Sequence, residues 1–191
     1  AEHVVDAPRP DDGTVNPQPG AEDFGRVVWA TEGPAWWHGG TMLVVRRMRM
    51  DLDRWERLGR LDRELVVGRR LADGSPLTGG IERDAVDLDA VDRDGLPVVP
   101  EAAHVRAARG QSPDERFLRR GFTYDDTAEP GGDAGLIFCA LMADIDRQFV
   151  PVQRRIAEAD LLNAWVTPVG SAVFAFLPGC APGERLASGL P

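Results

Sequence analysis

The residues with the most suggestive chemistry are His104 and, a short distance along the chain, the paired arginines Arg119 and Arg120. A neutral imidazole is a common ligand of haem iron, and a guanidinium can bind a haem propionate or a peroxide oxygen. A single histidine is more often a surface residue or a satisfied core residue, so this pattern alone is weak evidence for a ligand. The elements that would position these side chains therefore decide the interpretation.

Composition predicts a soluble globular protein with one core. The chain has 191 residues, of which 43% are hydrophobic and 28% charged, enough to bury a core. The net charge of −9 argues against nucleic acid as a partner, because phosphate binding needs positive patches. No apolar run is long enough to span a membrane. Cys139 and Cys180 lie far apart, which argues against a disulfide framework or a zinc site.

The first forty residues are rich in proline, glycine and acids, which is typical of an extended arm with turns. A tight turn is expected at Asp12-Gly13, and a short strand at Val27 to Trp29. We therefore divide the chain into an arm (1–40), a folded domain (41–180) and a C-terminal tail (181–191).

From residue 41 the pattern is regular. It predicts strands at 41–50, 119–124, 136–142 and 171–177. One helix is expected after Asp51 or Asp53, covering Trp55 to Val66 and ending at Gly68, and a second after Asp144 or Asp146. Residues 69–103 are too long for an ordinary connection, so we expect an insertion with a role. The order β-α-insertion-β-β-α-β predicts an α+β, ferredoxin-like antiparallel sheet with two helices on one face.

Seven segments, in order, resemble the C-terminal part of dye-decolourising (DyP-type) haem peroxidases. The similarity is greatest to the branch of exported, iron-uptake-associated bacterial enzymes. The segments are DDGTVNP (11–17), VVWATEGPAWWHGGTMLVVRRMRM (27–50), GRRLADGSPLTG (68–79), AHVRAARG (103–110), FLRRGFTYDD (117–126), GLIFCALMADIDRQFVPVQRRI (135–156) and WVTPVGSAVFAFLPG (165–179). The resemblance implies haem b as the cofactor and a ferredoxin-like fold.

The resemblance also implies roles for individual residues. His104 corresponds to the proximal iron ligand, Arg119 to the distal arginine, and Asp12 to the distal acid–base residue of a G-x-x-D-G motif. The backbone that approaches the haem corresponds to Gly13, Thr14 and Val15.

Two positions depart from the family pattern. Arg9 replaces the first glycine of G-x-x-D-G, and an Arg there could tilt Asp12 away from the iron. The family's Asn-Pro-Arg after the histidine segment is missing, so Arg109 is the expected substitute at a propionate. Arg46 is a further candidate for a propionate contact, with a solvated strand face as the alternative.

A proximal histidine needs an acceptor at its second ring nitrogen, for which we expect Asp144, or else Asp146; a helix cap is the alternative role for Asp144. Bulky donors cannot reach a buried haem, so surface aromatics could relay oxidising equivalents, although each is more often a packing residue. The candidates are Trp36, Trp37, Trp55, Trp165 and Tyr124.

Three functions remain open from the sequence. The first is a peroxidase that reduces hydrogen peroxide and oxidises phenolic or dye-like aromatic donors. The second is release of iron from haem, and the third is a haem-binding or interaction module without catalysis. Family members carry another ferredoxin-like domain before the matching part, so that domain is an expected partner, together with further copies in a homo-oligomer. Export by the twin-arginine route and a cytoplasmic or encapsulated location both remain possible.

Overall fold

Four antiparallel strands form the single sheet of the computed structural model, which describes residues 21–82, 84–180 and 182–185. The strands are β1 (Thr41–Met50), β2 (Leu118–Asp125), β3 (Ala134–Met142) and β4 (Val166–Phe176). The helices are α1 (Ala21–Val28), α2 (Leu52–Glu56), α3 (Arg60–Val67), α4 (His104–Ala107) and α5 (Ile145–Ala159). The strand order β2-β3-β1-β4 confirms the predicted ferredoxin-like fold.

The main core lies between α5 and one face of the sheet. Val44 pairs with Ala140, so the two side chains share a face, and they are only 2% and 0% exposed. Met142 is fully buried beside them, and Ile145 and Phe149 of α5 pack against this cluster. We call this side of the sheet the helix face.

The first predicted helix is two short helices in the structure. Asp51 caps α2 by accepting a hydrogen bond from the Arg54 backbone N–H at 3.1 Å, and Gly68 ends α3 in a left-handed conformation (φ 93°). The prediction failed between these ends, where Gly59 has a non-helical ψ of 152° and lies just before α3 as its N-cap. Glycine is costly inside a helix, so the break falls at the residue that holds a helix least well.

Residues 27–29 do not form the predicted strand. Val27 and Val28 instead end α1 and are buried, and the Val27 carbonyl accepts hydrogen bonds from the Ala143 backbone N–H and the Gln148 side chain. Two adjacent valines also suit a strand, and only their contacts with β3 and α5 select the helix end. The domain limits at 40 and 180 stay predictions.

Strand β4 begins at Val166 rather than at Ser171. Its first half contains Pro168 and Gly170, which are unusual inside a strand. The register shifts between Arg47 and Met48, opposite these residues, which is the irregularity of a β-bulge. Because β4 is an edge strand, it tolerates a proline that a central strand would exclude.

The insertion at 69–103 supports α4. Its own small core contains Val86, Val99, Ala103 and Val105, and Val105 belongs to α4. The guanidinium of Arg106, also in α4, donates hydrogen bonds to insertion carbonyls, including the Val99 carbonyl at 2.9 Å. Through these contacts the insertion holds in place the helix that begins at His104.

The side of the sheet opposite the helix face, here called the outer face, carries large exposed apolar side chains. Phe122, Phe174 and Phe176 are 57%, 50% and 49% exposed. Phe174 and Phe176 pair with Leu43 and Thr41 of β1, and Phe122 pairs with the β3 residue that pairs with Arg47. Because side chains alternate along a strand, all three phenylalanines lie on the face opposite Val44.

No helix within the described parts of the chain is long and apolar enough to cross a membrane.

Candidate functional site

A largely apolar cavity of about 740 Å³ lies between the helix face of the sheet and the helices α2 to α5. This volume is within the usual range for small-molecule and cofactor sites. The hydrophobic wall is built from residues such as Met48, Trp55, Phe138 and Phe149. The titratable side chains that line it are Arg46, Arg60, Arg63, His104, Arg119, Tyr124, Asp125 and Asp160.

His104 is held in one orientation by Asp160. Its Nδ1 lies 2.6 Å from Asp160 Oδ2, and the two side chains are only 15% and 2% exposed. An ionised carboxylate can only accept, so in the neutral imidazole Nδ1 carries the hydrogen and Nε2 the lone pair. His104 therefore presents an electron-donating nitrogen in the wall of the cavity.

Asp160 is itself fixed from the other side. Its Oδ1 accepts a hydrogen bond from the Leu162 backbone N–H at 2.9 Å, which caps the short 3₁₀ turn after α5. Both carboxylate oxygens are thus engaged, one by the backbone and one by His104. The carboxylate that orients the imidazole is therefore itself held in place by the backbone.

The expectation that Asp144 or Asp146 would hold His104 is wrong. Asp144 caps α5, accepting from the backbone N–H groups of Asp146 and Arg147, and forms an ion pair with Arg147. Burial opposes ionisation of Asp144, but its hydrogen bonds with Arg147 prevail, so its pKa is held below the usual range. Asp144 has the alternative role of a helix cap.

Asp160 was missed because nothing in the local sequence connects it to His104. The two residues are 56 positions apart. The local pattern Asp160-Leu161-Leu162 indicates only a cap for the turn that follows α5. The docking of α4 beside the end of α5 brings them together.

Arg119 and His104 line the same cavity. Arg119 is half-buried and lies opposite Ala140 in the β2–β3 pair, so its strand position turns it toward the helix face. The other predicted distal residues, Asp12, Gly13, Thr14 and Val15, lie outside the described residues, as does Arg9.

Arg109 lies outside the wall of this cavity. Its Nη1 donates to the Val86 carbonyl at 3.0 Å, and its own carbonyl accepts from Arg155. Arg109 therefore ties α4 to the insertion and to α5. A cofactor role for Arg109 stays a prediction.

Three further arginines line the cavity. Arg46, on β1, donates to the Gln153 side chain, and burial lowers the pKa of Arg46. Arg60 pairs with the buried Glu64 at 2.9 Å. Arg63 completes the set, three residues after Arg60 on the same face of α3. Sequence reasoning singled out Arg46 but missed the pair on α3, although the i, i+3 spacing of two arginines was visible.

The candidate relay aromatics fall into three places. Trp55 lines the cavity and packs edge-on against Trp165, with 5.4 Å between ring centroids. Trp36 and Trp37 form a separate pair, 6.2 Å apart, in the 3₁₀ turn before β1. The Arg47 guanidinium lies 4.3 Å from the ring centre of Tyr124. A relay role for any of them stays a prediction.

Within the described residues there is no group of three or more His, Cys, Asp or Glu side chains that could hold a metal ion.

Comparisons with known proteins agree with this geometry. Residues 10–181 match the family model described as "Dyp-type peroxidase, C-terminal". The chain is 43% identical over 190 residues to a dye-decolorizing peroxidase of Thermobifida fusca, covering 94% of this chain and 43% of that protein. It is 32% identical over 177 residues to a deferrochelatase of Escherichia coli (strain K12), covering 88% of this chain and 41% of that protein.

Solved structures show the same relationship. A DyP-type peroxidase from Cellulomonas bogoriensis superposes with a TM-score of 0.84 at 45% identity, covering 92% of this chain and 50% of that one. The chain thus spans half, or less than half, of the length of these relatives. The chain belongs to the Dyp-type peroxidase family, of which it matches the C-terminal part.

Proposed function

We propose that the chain is the haem-binding part of a peroxidase. The proposed reaction reduces hydrogen peroxide to two water molecules, with two electrons and two protons taken from phenolic or dye-like aromatic donors. The observation that carries the proposal is the His104–Asp160 pair in the wall of a 740 Å³ cavity, in a chain of this family.

The residues fit a haem b. The cavity is mostly apolar, which suits the porphyrin ring, and His104 offers one nitrogen ligand from its wall. Haem, when bound, supplies a redox-active iron that reacts with peroxide. Asp160 keeps the imidazole oriented and electron-rich by accepting from Nδ1, as carboxylates do behind metal-bound histidines.

Arg119 is the proposed distal cation. Its guanidinium stays charged at any working pH and can stabilise negative charge that develops on a peroxide oxygen. Asp12 is the proposed proton carrier between the two peroxide oxygens, and Gly13, Thr14 and Val15 are the proposed backbone neighbours of the haem. For these four residues the proposal rests on the sequence motif alone.

Release of iron from haem is the second candidate. The observation in its favour is the similarity, at 32–33% identity, to proteins named deferrochelatase in Escherichia coli and Yersinia. The products separate the two functions. Iron release leaves fluorescent, metal-free porphyrin, whereas peroxidase turnover leaves the haem intact and consumes the aromatic donor.

The outer face of the sheet supports a proposal about partners. Phe122, Phe174 and Phe176 expose about half of their surface there, and patches of this kind mark interfaces. The relatives are about twice as long as this chain. We therefore assign the outer face to the companion domain that the relatives' extra length would supply, and homo-oligomer formation remains a further proposal.

Absorption spectroscopy tests the main proposal. Haem should give the wild-type chain a Soret band that His104→Ala removes or shifts. Stopped-flow mixing with peroxide should change this band rapidly in wild type and slowly in Arg119→Leu, because removal of one stabilising donor costs about 10²–10³-fold in rate. Binding without a response to peroxide would favour a non-catalytic haem-binding module. A Soret band unaffected by His104→Ala would contradict the site.

A further inference from the structure

The side chain of Arg63 lines the cavity without a hydrogen-bond or ion-pair partner among the described residues. Its Nε is shielded from solvent and has no acceptor among the described residues. The Arg63 backbone N–H donates to the Gly59 carbonyl within α3, but none of the side-chain hydrogen bonds or ion pairs seen between described residues involves Arg63. A buried N–H without an acceptor is costly and rare in folded proteins. Such a donor in a cavity wall suggests that the acceptor belongs to the occupant.

The negative charges of the wall are already engaged. Asp160 is bound to His104 and to the Leu162 backbone. Asp125 accepts from the backbone and the hydroxyl of Thr127, at 3.0 and 2.6 Å. Within the described residues, neither carboxylate forms an ion pair with Arg63.

The neighbouring arginine on α3 is also engaged. Arg60 donates to Glu64 at 2.9 Å, and that carboxylate additionally accepts from the Leu71 backbone N–H. Arg63 and Val67 are four residues apart, so they lie on the same face of α3, and both line the cavity. Across the cavity, the described partner of Arg46 is a neutral amide, Gln153. Within the described residues, Arg46 and Arg63 therefore line the cavity without a carboxylate partner.

We infer that Arg63 binds a carboxylate of the ligand that fills this cavity. The inference rests on the proposed function, in which that ligand is a haem with two propionates. A guanidinium suits the role because its planar fork can donate two parallel hydrogen bonds to one carboxylate. Arg63 is then a binding residue for the cofactor and takes no part in the reaction with peroxide.

The test compares two ligands that differ only in charge. Hemin carries both propionates, whereas hemin dimethyl ester has the same ring and iron with both carboxylates masked. Affinities are measured for the full chain by competition with apomyoglobin, for wild type, Arg63→Gln, Arg63→Lys and Arg154→Gln. Arg154 is the matched control, an exposed arginine on α5 that lies outside the cavity wall.

We expect Arg63→Gln to weaken hemin binding about 10–100-fold, the usual cost of a lost charge-assisted hydrogen bond. Arg63→Lys should fall in between, because it keeps the charge and loses the fork. Affinity for the dimethyl ester should be equal in wild type and Arg63→Gln, and Arg154→Gln should match wild type for both ligands.

Two results would overturn the inference. Equal losses for hemin and its ester would mean that Arg63 supports the fold of the cavity, and unchanged hemin affinity would mean that it contacts no carboxylate. If wild type bound neither ligand, the proposed function itself would fall and Arg63 would lose its assigned ligand. Circular dichroism of each variant identifies loss of folding, and Arg63→Lys then supplies the comparison.

Discussion

Asp160 Oδ2 accepts a hydrogen bond from His104 Nδ1 at 2.6 Å, and its carboxylate is almost fully buried. The pair joins the end of α5 to the start of α4, two helices that are separated in the chain by β2 and β3. In a neutral imidazole this contact favours the tautomer with the hydrogen on Nδ1 and the lone pair on Nε2. The behaviour of a metal at His104 should therefore depend on a residue that does not touch the metal.

Asp160→Asn should weaken haem binding or turnover by about 10–100-fold, which is typical for loss of a partner behind a metal-bound histidine. The reduction potential of the bound haem should rise, because a neutral amide leaves the imidazole a poorer electron donor. Spectroelectrochemical titration measures the potential. Asp144→Asn is the control, since asparagine also caps helices; an equal rise in that variant would contradict the assignment of Asp160.

His104→Gly should lose the wild-type Soret band and recover it when free imidazole is added. The substitution opens space at the first residue of α4, while Val105 and Ala107 remain buried and hold the short helix. Absorption titration with imidazole provides the measurement. A band that persists in His104→Gly without imidazole would show that another residue binds the iron.

Gly68→Ala should destabilise the fold by more than the strain of its backbone alone. A Cβ at Gly68 would overlap the Val105 side chain, next to His104, and φ is 93°. The left-handed conformation costs an alanine about 1–2 kcal/mol, and the overlap adds to this by displacing α4. Urea denaturation gives the free energy of unfolding.

Gly79→Ala separates the effect of backbone strain from the effect of overlap with a neighbouring side chain. Its φ is 96°, nearly the same, but a Cβ there would meet no atom within 4 Å. It should show the backbone strain only, and haem affinity should not change. If both alanine variants lost equal stability and equal haem affinity, the contact between Gly68 and Val105 would have no role in positioning His104.

Glu64→Gln should reduce stability in a pH-dependent way. The hydrogen bond from Arg60 holds the pKa of Glu64 below its usual range, with further help from the Leu71 backbone and against the effect of burial. A depressed folded-state pKa stabilises the protein above the unfolded value, near 4.3, and this contribution disappears as pH falls through the lower folded value.

The difference between wild type and Glu64→Gln should therefore be largest near neutral pH and should shrink below about pH 4. Urea midpoints measured across this range test the sign. Glu158→Gln, at an exposed position of α5, provides the baseline for loss of a surface charge. A difference for Glu64→Gln that stayed constant from pH 7 to pH 3 would exclude the ionised pair with Arg60.

The elements that could be predicted from the sequence are those whose signals are local. The bounds of β1, the cap at Asp144 and the helix end at Gly68 follow from side-chain alternation, from a carboxylate that accepts N–H groups, and from a residue without a Cβ. The order of these elements along the chain predicted the ferredoxin-like arrangement, and the family resemblance assigned roles to His104 and Arg119.

Which side chains meet depends on the packing of elements that are distant in the chain. This packing selected Asp160 over Asp144 as the partner of His104, turned Arg109 to the Val86 carbonyl, and left Arg63 unpaired in the cavity wall. In the structure, Pro168 also lies within the edge strand β4. The physical reason is that a cap or a turn is determined by neighbouring residues, whereas a contact across a cavity depends on how separate helices pack on one sheet.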